Sequence, residues 1–329
     1  MNRGLIGALC LSVAFALLTG CGGSQPPIGT SVQPRGAAAQ VNVRRASGSS
    51  GDLLYVTSVP DLTILSYAQG KVVARISGNY SNSTICSDPN NGNVFVVNPG
   101  DIEEYAHGGT TPIATLSDPS EYTYLAGCAV DPTTGNLAVA TGFPGGVLIW
   151  SNAQGNPTWY GSRKFRSCLD PIYDSSGNLF VNANNIHERF RLAELQAGHT
   201  DFNIIDYPKG SGVDFAIFPP AMQWDGQYLA FQENEYSGYG NVLFQVRVNG
   251  RRSKIVNTSH LLRQSQDRNY VLHDGLLFGL YNRERDGSDY AVAVWKYPKG
   301  GKPMDHFYGV KNGPYANYPQ LTLSVAPSH

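Results

Sequence analysis

One recurring pattern constrains the fold of this chain more than any other feature: an Asp, a short polar turn, the pair Gly-Asn and then an apolar run. The clearest copies are DPNNGNVFVV (88–97), DPTTGNLAVA (131–140) and DSSGNLFVN (174–182), and weaker ones are SGDLLYVT (50–57), WDGQYLAF (224–231) and HDGLLFGL (273–280). The aligned glycines are Gly51, Gly92, Gly135, Gly177, Gly226 and Gly275, at separations of 41, 43, 42, 49 and 49 residues. Six copies at this period, without long helical patterns between them, predict an all-β, six-bladed propeller with four antiparallel strands per blade.

The residues of the repeat have clear roles in such a fold. The Asp accepts hydrogen bonds from its own turn, and the Gly takes the positive φ of a tight hairpin. The apolar run that follows does not alternate with polar residues, as expected for a strand covered on both faces by neighbouring blades. We therefore interpret the repeated acidic residues as turn caps rather than catalytic groups; they are Asp88, Asp131, Asp174, Asp225 and Asp274.

A second recurring turn, an aromatic or apolar residue shortly before a Gly, is predicted to join the third and fourth strands. In blade four two segments compete for this place, LQAG (195–198) and YPKG (207–210), the latter identical to 297–300. The first leaves 31 residues before Gly226 and the second leaves 19. We place the turn at 195–198, because its spacing is nearer to that of the other blades.

The last strand of the chain, predicted at 319–326, has no hairpin after it. The first copy of the repeat begins at Gly51 and has no inner strand before it. We predict that the final strand supplies this missing inner strand and closes the ring, which removes the open sheet edges.

The pattern D-x-x-x-G-N-apolar-x-V, followed by I-x-x-Y-x-x-G, resembles that of the NHL, YWTD and TolB-like six-bladed propellers across residues 51–326. The resemblance implies the architecture. It does not select a function, because such propellers include hydrolases, isomerases, receptors and scaffolds.

The N-terminal segment predicts export and anchoring. Residues 1–20 read as a signal peptide with an uncharged apolar run at 5–18, and LTGC (18–21) resembles the lipobox of bacterial lipoproteins. That resemblance implies cleavage before Cys21 and its acylation, palmitate included, which would anchor the chain stably in a membrane of the cell envelope. Residues 22–50 are rich in Gly, Ser, Pro and Gln and predict a disordered tether, leaving 51–329 for the propeller. Gly22 favours the outer membrane in a Gram-negative cell, since an Asp there often signals inner-membrane retention.

The composition limits the kinds of binding partner that are expected. The chain has 24 basic and 25 acidic residues, which argues against nucleic acid as a partner. The cysteines beyond the predicted anchor, Cys86, Cys128 and Cys168, are an odd set, so at least one is a free thiol or has an intermolecular partner. We interpret them as small buried residues on inner strands. We expect a monomer.

Loops at one end of the blades, leading into the inner strands or joining second to third strands, define a loop face. The residue six positions after each aligned Gly is polar in five of six copies, which predicts hydrogen-bonding groups at the channel mouth. Tyrosine and amide side chains suit the recognition of a protein or a saccharide. The candidate ligand-binding residues are Tyr80, Asn98, Tyr124, Gln232, Glu233, Asn282 and Tyr318.

Two alternatives remain open. Gluconolactonase-type propellers hold a divalent cation, and resemblance to them would make this chain a lactone or ester hydrolase with Ca²⁺ on Glu233, Asn98 and Asn184. The other alternative is a scaffold of an envelope assembly machine without a small-molecule ligand. We nominate no catalytic residue and expect no cofactor in the favoured reading, because no spacing requires one. The sequence thus favours a binding protein over an enzyme.

Overall fold

The computed structural model describes residues 51–327, apart from 59–60, 68, 79, 81–82, 118–123, 186, 188–189, 207–220, 235–239, 263–269, 283–288 and 312–319. These residues belong to one compact unit. They form six four-stranded antiparallel sheets, as the repeat predicts. Within the described ranges, no helix is long and apolar enough to cross a membrane.

Each sheet is one blade. Blades one to three contain β1 (Leu53–Thr57), β2 (Asp61–Ser66), β3 (Val72–Ser77), β4 (Thr84–Ser87), β5 (Val94–Asn98), β6 (Asp101–Tyr105), β7 (Pro112–Ser117), β8 (Leu125–Val130), β9 (Leu137–Thr141), β10 (Gly146–Trp150), a 3-10 turn (Ser151–Ala153) and β11 (Thr158–Gly161). Blades four to six contain β12 (Ser167–Tyr173), β13 (Leu179–Asn184), β14 (Phe190–Leu195), β15 (Asn203–Ile205), β16 (Ala221–Trp224), β17 (Leu229–Asn234), β18 (Gly240–Asn249), β19 (Arg252–Leu262), β20 (Tyr270–His273), β21 (Leu276–Asn282), β22 (Asp289–Lys296) and β23 (Asp305–Lys311). The last strand, β24 (Leu321–Ser324), belongs to blade one.

The final strand closes the ring as predicted. β24 pairs antiparallel with β1, with Leu54 opposite Leu323 and Val56 opposite Leu321. The pairing continues beyond the strand, because Thr57 N–H donates to the Gln320 carbonyl at 2.9 Å. At the other end, Ala326 N–H donates to the Asp52 carboxylate at 2.8 Å. Blade one is therefore built from both ends of the propeller segment.

Among the described residues, the core consists of six apolar clusters, each between two neighbouring blades. The second strands, such as β1, β5 and β9, are buried along nearly their whole length, whereas the outermost strands β3 and β7 are largely exposed. One cluster joins blade six to blade one, where Phe278 and Val292 pack with Leu321 and Leu323. The six interfaces therefore make a closed circle.

The regular spacing of the repeat along the chain reflects hydrogen bonds within and between its turns. The Asp131 carboxylate accepts Thr133 N–H and the hydroxyl of Thr134, and Asp174 caps its own turn in the same way. The Asn of the motif has a second role: Asn136 Oδ1 accepts Asn152 N–H at 2.8 Å, from the turn between the third and fourth strands. This confirms the interpretation as turn caps for Asp131 and Asp174, and Asp88 and Asp225 accept N–H groups of their own turns as well. The Asp274 carboxylate instead lies 3.3 Å from His273 Nε2.

In blade four the turn between the third and fourth strands lies at 195–198, as its spacing predicted. The competing segment 207–210 lies outside the described residues. The outer strand of blade five is long, because residues 258–262 continue β19. They do so because β18 is ten residues long and pairs as far as Gly240 opposite Leu262.

The three cysteines lie on the inner strands of consecutive blades, as expected. Cys86 on β4 and Cys128 on β8 form a disulfide with a Cα–Cα distance of 5.7 Å. Cys168 on β12 is a free, buried cysteine, and burial raises the pKa of its thiol well above the ordinary value. The disulfide therefore joins blades two and three next to the axis.

Candidate functional site

The axis of the propeller holds a cavity of about 400 Å³, lined by the inner strands of all six blades. Its lining includes apolar and polar residues, among them Asp170, Gln223, Tyr270 and His273. The Tyr270 hydroxyl donates to the Ala230 carbonyl at 2.6 Å. Burial raises the pKa of Tyr270, and the negative charges of Asp225 and Asp170 raise it further, so this phenol stays protonated at neutral pH. The cavity is large enough for a small polar molecule.

Two bulges shape the wall of the cavity between blades three and four. The β8–β9 register shifts between Leu125 and Cys128, and the β12–β13 register shifts between Leu169 and Ile172. Asp170, inside the second bulge, has a φ of 42°. A side chain at Gly127 would meet Pro171 Cδ at 2.7 Å, so the two inner strands are in backbone contact here. A bulge re-aims a side chain, and here it places an acidic residue in the channel wall.

The structure connects two of the predicted ligand-binding residues, Tyr80 and Asn98, through a partly buried network, in which Asn98 Nδ2 donates to Glu103 at 3.4 Å. Asn98 Nδ2 donates to Asp101 at 3.1 Å, and the Tyr105 hydroxyl donates to Glu103 at 2.9 Å. Tyr80 is hydrogen-bonded to Tyr105, and burial raises the pKa of Tyr80. Tyr80 is only 6% exposed and packs between blades one and two. This tyrosine therefore supports the loop face and is not itself exposed on it.

Gln232 is also buried, at 1% exposure. Its side-chain amide has no hydrogen-bond partner among the described residues, and the same holds for Asn241 Nδ2 and Ser259 Oγ. The registers of β17, β18 and β19 place Gln232 and Ser259 opposite Leu243, on the side of blade five that packs on blade six. Buried polar atoms cost free energy when unpaired, so this polar cluster is expected to bind water or a ligand group.

For three of the predicted ligand-binding residues, the side chains lie outside the described part of the structure. Glu233 and Asn282 lie on β17 and β21, but their side chains fall outside the description, and Tyr318 lies outside the described residues. Of the alternative metal ligands, Asn98 Oδ1 already accepts the Ser83 hydroxyl at 2.7 Å, and Asn184 lies two blades away at the end of β13. Among the described residues, no three His, Cys, Asp or Glu side chains are grouped to hold a metal ion. The calcium site stays a prediction.

Tyr124, by contrast, is 55% exposed and belongs to an aromatic surface that the sequence analysis missed in part. Phe143 is 48% exposed and Trp159 is 41% exposed. Together with Arg163, Lys164 and Arg166 they form what we call the blade-three patch. Its aromatic members come from the segment before β8, the β9–β10 loop and β11, so no single stretch of sequence reveals them.

Glycines bring the parts of the blade-three patch together. Gly142 N–H donates to the Tyr124 carbonyl at 2.7 Å, and a side chain at Gly142 would meet the Tyr124 ring at 2.9 Å. A side chain at Gly145 would meet Ser167 N at 2.8 Å, so the β9–β10 loop also contacts the segment that follows β11. The density of glycine in TGFPGG (141–146) was the one sequence signal of this close packing.

Comparisons with solved structures agree with the fold. A chain of the nidogen/laminin complex superposes with a TM-score of 0.61 at 10% identity, covering 84% of this chain and all of that one. A functionally unknown protein from Desulfotomaculum acetoxidans gives 0.52 at 14% identity, over 83% and 89% of the two chains. The propeller domain of Myceliophteria thermophila Cps50 (Swd1) gives 0.50 at 11% identity, over 76% and 81%.

These similarities support the propeller fold alone, because all the identities are low. No protein-family model matches the chain. No curated protein sequence matches it either.

Proposed function

We propose that this chain is an exported, lipid-anchored binding propeller that recognises a protein or a saccharide of the cell envelope through its loop face. One observation carries the proposal: three large exposed aromatic side chains, Tyr124, Phe143 and Trp159, belong to the loop end of blade three. Aromatic side chains exposed together at loops are typical of recognition surfaces.

Export is supported by two independent features. The apolar run at 5–18 ends in LTGC (18–21), which resembles a lipobox. The disulfide between Cys86 and Cys128 is of the kind that persists in oxidising compartments outside the cytoplasm. With Cys21 acylated, the predicted tether would hold the propeller within a short distance of the membrane surface.

A role in binding is compatible with the fold. A structurally similar chain is found in a nidogen/laminin complex, so a propeller of this shape can take part in a protein assembly. At 10% identity this similarity suggests no partner for the present chain, and the partner must be sought at the loop face itself.

The proposal predicts that binding to isolated cell-envelope material depends on the blade-three patch. Cys21→Ser, which removes the anchor, is combined with Tyr124→Ala, Phe143→Ala and Trp159→Ala. We expect the affinity obtained from co-sedimentation to fall at least about tenfold, as for the loss of several aromatic hot spots. The matched control replaces exposed apolar residues of outer strands and of the opposite turns, Val72, Ile113 and Met304, by Ala.

The control set should bind like the parent. Equal loss in both sets, or no loss in the patch variant, would refute binding through the loop face. Anchoring is checked separately by labelling with radioactive palmitate, which should mark the parent chain and not Cys21→Ser.

A further inference from the structure

We propose that the ligand of the blade-three patch is an acidic saccharide, whose sugar ring stacks on Trp159 and whose carboxylates bind Arg163, Lys164 and Arg166. This inference rests on the proposed function, because it names the ligand class of the same surface.

The Trp159 indole lies over a pair of glycines. Gly146 on β10 and Gly161 on β11 are directly opposite each other, and Leu148 opposes Trp159. A side chain at Gly146 would meet Trp159 Nε1 at 2.5 Å, and one at Gly161 would overlap the six-membered ring. The indole therefore occupies the space of two missing side chains and rests with one face on the sheet, while 41% of the residue is exposed.

This arrangement holds the ring in place before any ligand arrives. The outward face of a supported indole is a flat apolar platform with an N–H group at its edge. The apolar face of a pyranose ring can stack on such a platform, and hydroxyl groups around the ring can accept from the N–H. Little side-chain entropy is lost on binding, because the ring is already positioned.

The cations lie in the segment that crosses from the outer strand of blade three to the inner strand of blade four. Phe165 anchors this segment in the core, where its ring contacts Phe202 with centroids 5.3 Å apart. Arg166 N–H donates to the Asn184 carbonyl at 2.7 Å. With the chain held at these points, the side chains of Arg163, Lys164 and Arg166 are exposed on either side of the anchor.

The charges of this segment point to an anionic ligand. Arg163 and Lys164 form no ion pair within the described part of the chain. Arg166 lies over the Phe143 ring at 5.5 Å, which fixes the guanidinium beside the second aromatic side chain. Guanidinium groups bind carboxylates through two parallel hydrogen bonds, so this cation is suited to a uronic acid.

The geometry favours a saccharide over the surface of a membrane. Aromatic side chains that insert into a bilayer must project from the protein, whereas Trp159 lies flat on two glycines and Phe143 is covered by Arg166. Gly146 approaches the Trp159 indole and its neighbour Gly145 approaches the backbone of Arg166, so the ring and the cation segment meet at the loop end of blade three. This arrangement complements a polymer that alternates apolar ring faces with carboxylates. Anionic membranes and acidic peptides then become outcomes of the test.

The test uses the full chain carrying Cys21→Ser, so that no acyl group contributes. Binding is measured by affinity electrophoresis and calorimetry against polygalacturonate, against neutral dextran of similar length, against an oligoglutamate peptide and against vesicles of phosphatidylglycerol and phosphatidylcholine. The variants are Trp159→Ala, Trp159→Tyr and the pair Arg163→Gln with Lys164→Gln. The control is Arg247→Gln, which removes an exposed cation on blade five, outside the patch.

We expect polygalacturonate to bind and dextran not to bind. Trp159→Ala should weaken binding at least about tenfold, and Trp159→Tyr should restore most of it because a ring is retained. The paired charge variant should weaken binding and reduce its dependence on salt, since exposed charges are screened. Arg247→Gln should bind like the parent, and unchanged thermal unfolding of each variant is the folding control.

Other results would overturn the inference. Dextran binding that depends on Trp159 would retain the proposed function and reject the acidic class. Binding to the vesicles or the peptide through the patch, without polygalacturonate binding, would replace the saccharide by that partner. If no saccharide binds, the inference fails, and the co-sedimentation experiment decides the proposed function independently. If Trp159→Ala fails to fold, the exposed charge pair decides the inference.

Discussion

Single residues show how tightly this propeller is held at its seam. Gly92 has a φ of 72°, and a side chain there would collide with the Val325 carbonyl just after β24. The same turn is bound to the final strand through Ser324, whose hydroxyl donates to the Gly92 carbonyl and is within 2.6 Å of His107 Nδ1. Gly92 thus serves two purposes, the conformation of its hairpin and the close approach of the C-terminal strand.

A matched pair of substitutions separates these two purposes. Gly198 has a φ of 77° and nothing within 4 Å of the position of a side chain. Gly198→Ala should therefore cost about 1 kcal/mol, from backbone strain alone. Gly92→Ala should cost about 3 kcal/mol or more, because the collision with Val325 is added. Urea unfolding of both variants measures the difference, and equal costs would contradict the contact at the seam.

Among the elements, β24 has the largest effect on the architecture, because it comes from the C-terminal end of the propeller segment and completes blade one at its N-terminal end. Leu321 and Leu323 are each 6% exposed and pack against residues of blade six. The Ser87 hydroxyl donates to the Leu323 carbonyl at 2.5 Å, which ties the strand to blade two as well. One short strand therefore contacts three blades.

Truncation after Gln320 should abolish cooperative unfolding, because it opens the edge of β1 and exposes the cluster between blades six and one. The point variant Leu323→Ala should retain the fold and lose about 3 kcal/mol of unfolding free energy. Deletion of 328–329 alone is the control, and it should change neither the cooperativity of unfolding nor its free energy. Circular dichroism with thermal unfolding gives the result; a truncated chain with the parental midpoint would show that ring closure contributes nothing to stability.

The whole molecule combines six interblade clusters that contain many buried tyrosines. Burial raises the pKa of Tyr55 to about 12, although the Gly108 N–H that donates to its hydroxyl lowers it in part. Burial likewise raises the pKa values of Tyr105, Tyr173 and Tyr297. In the unfolded chain these phenols ionise near pH 10, the ordinary value.

The folded chain should therefore lose stability in alkali. The contribution of these protonated phenols is complete below pH 10 and is lost as the pH rises from 10 through the folded-state values, about 12 for Tyr55. For each such tyrosine, the free energy of unfolding should fall by about 1.4 kcal/mol per pH unit in that window. Tyrosinate absorbance should rise together with the loss of β-structure in the circular dichroism spectrum.

Tyr55→Phe is the check on this prediction. It should be less stable than the parent at neutral pH, since Gly108 loses its acceptor, but its stability should depend less steeply on pH above 10. Ionisation of all tyrosines near pH 10 with the β-sheet spectrum intact would mean that the phenols are accessible in the folded chain.

At the level of the fold, the sequence alone determined the number of blades, the turn chemistry, the position of the blade-four turn and the closing strand. These features depend on local rules: a Gly at positive φ, an Asp that caps its own turn, and apolar runs at a regular period. Each rule acts within a few residues, so each can be recognised in a single chain without coordinates.

Only the tertiary structure decided which side chains share a surface. Tyr80 and Gln232 were expected at the loop face and are buried, because neighbouring blades cover them. Tyr124 lies against Gly142 in the loop that carries Phe143, and Trp159 covers Gly146 and Gly161 of the same blade, because glycines allow these close approaches. The Cys86–Cys128 disulfide likewise depends on two inner strands being adjacent around the axis. Such contacts follow from packing between blades, which sequence periodicity does not specify.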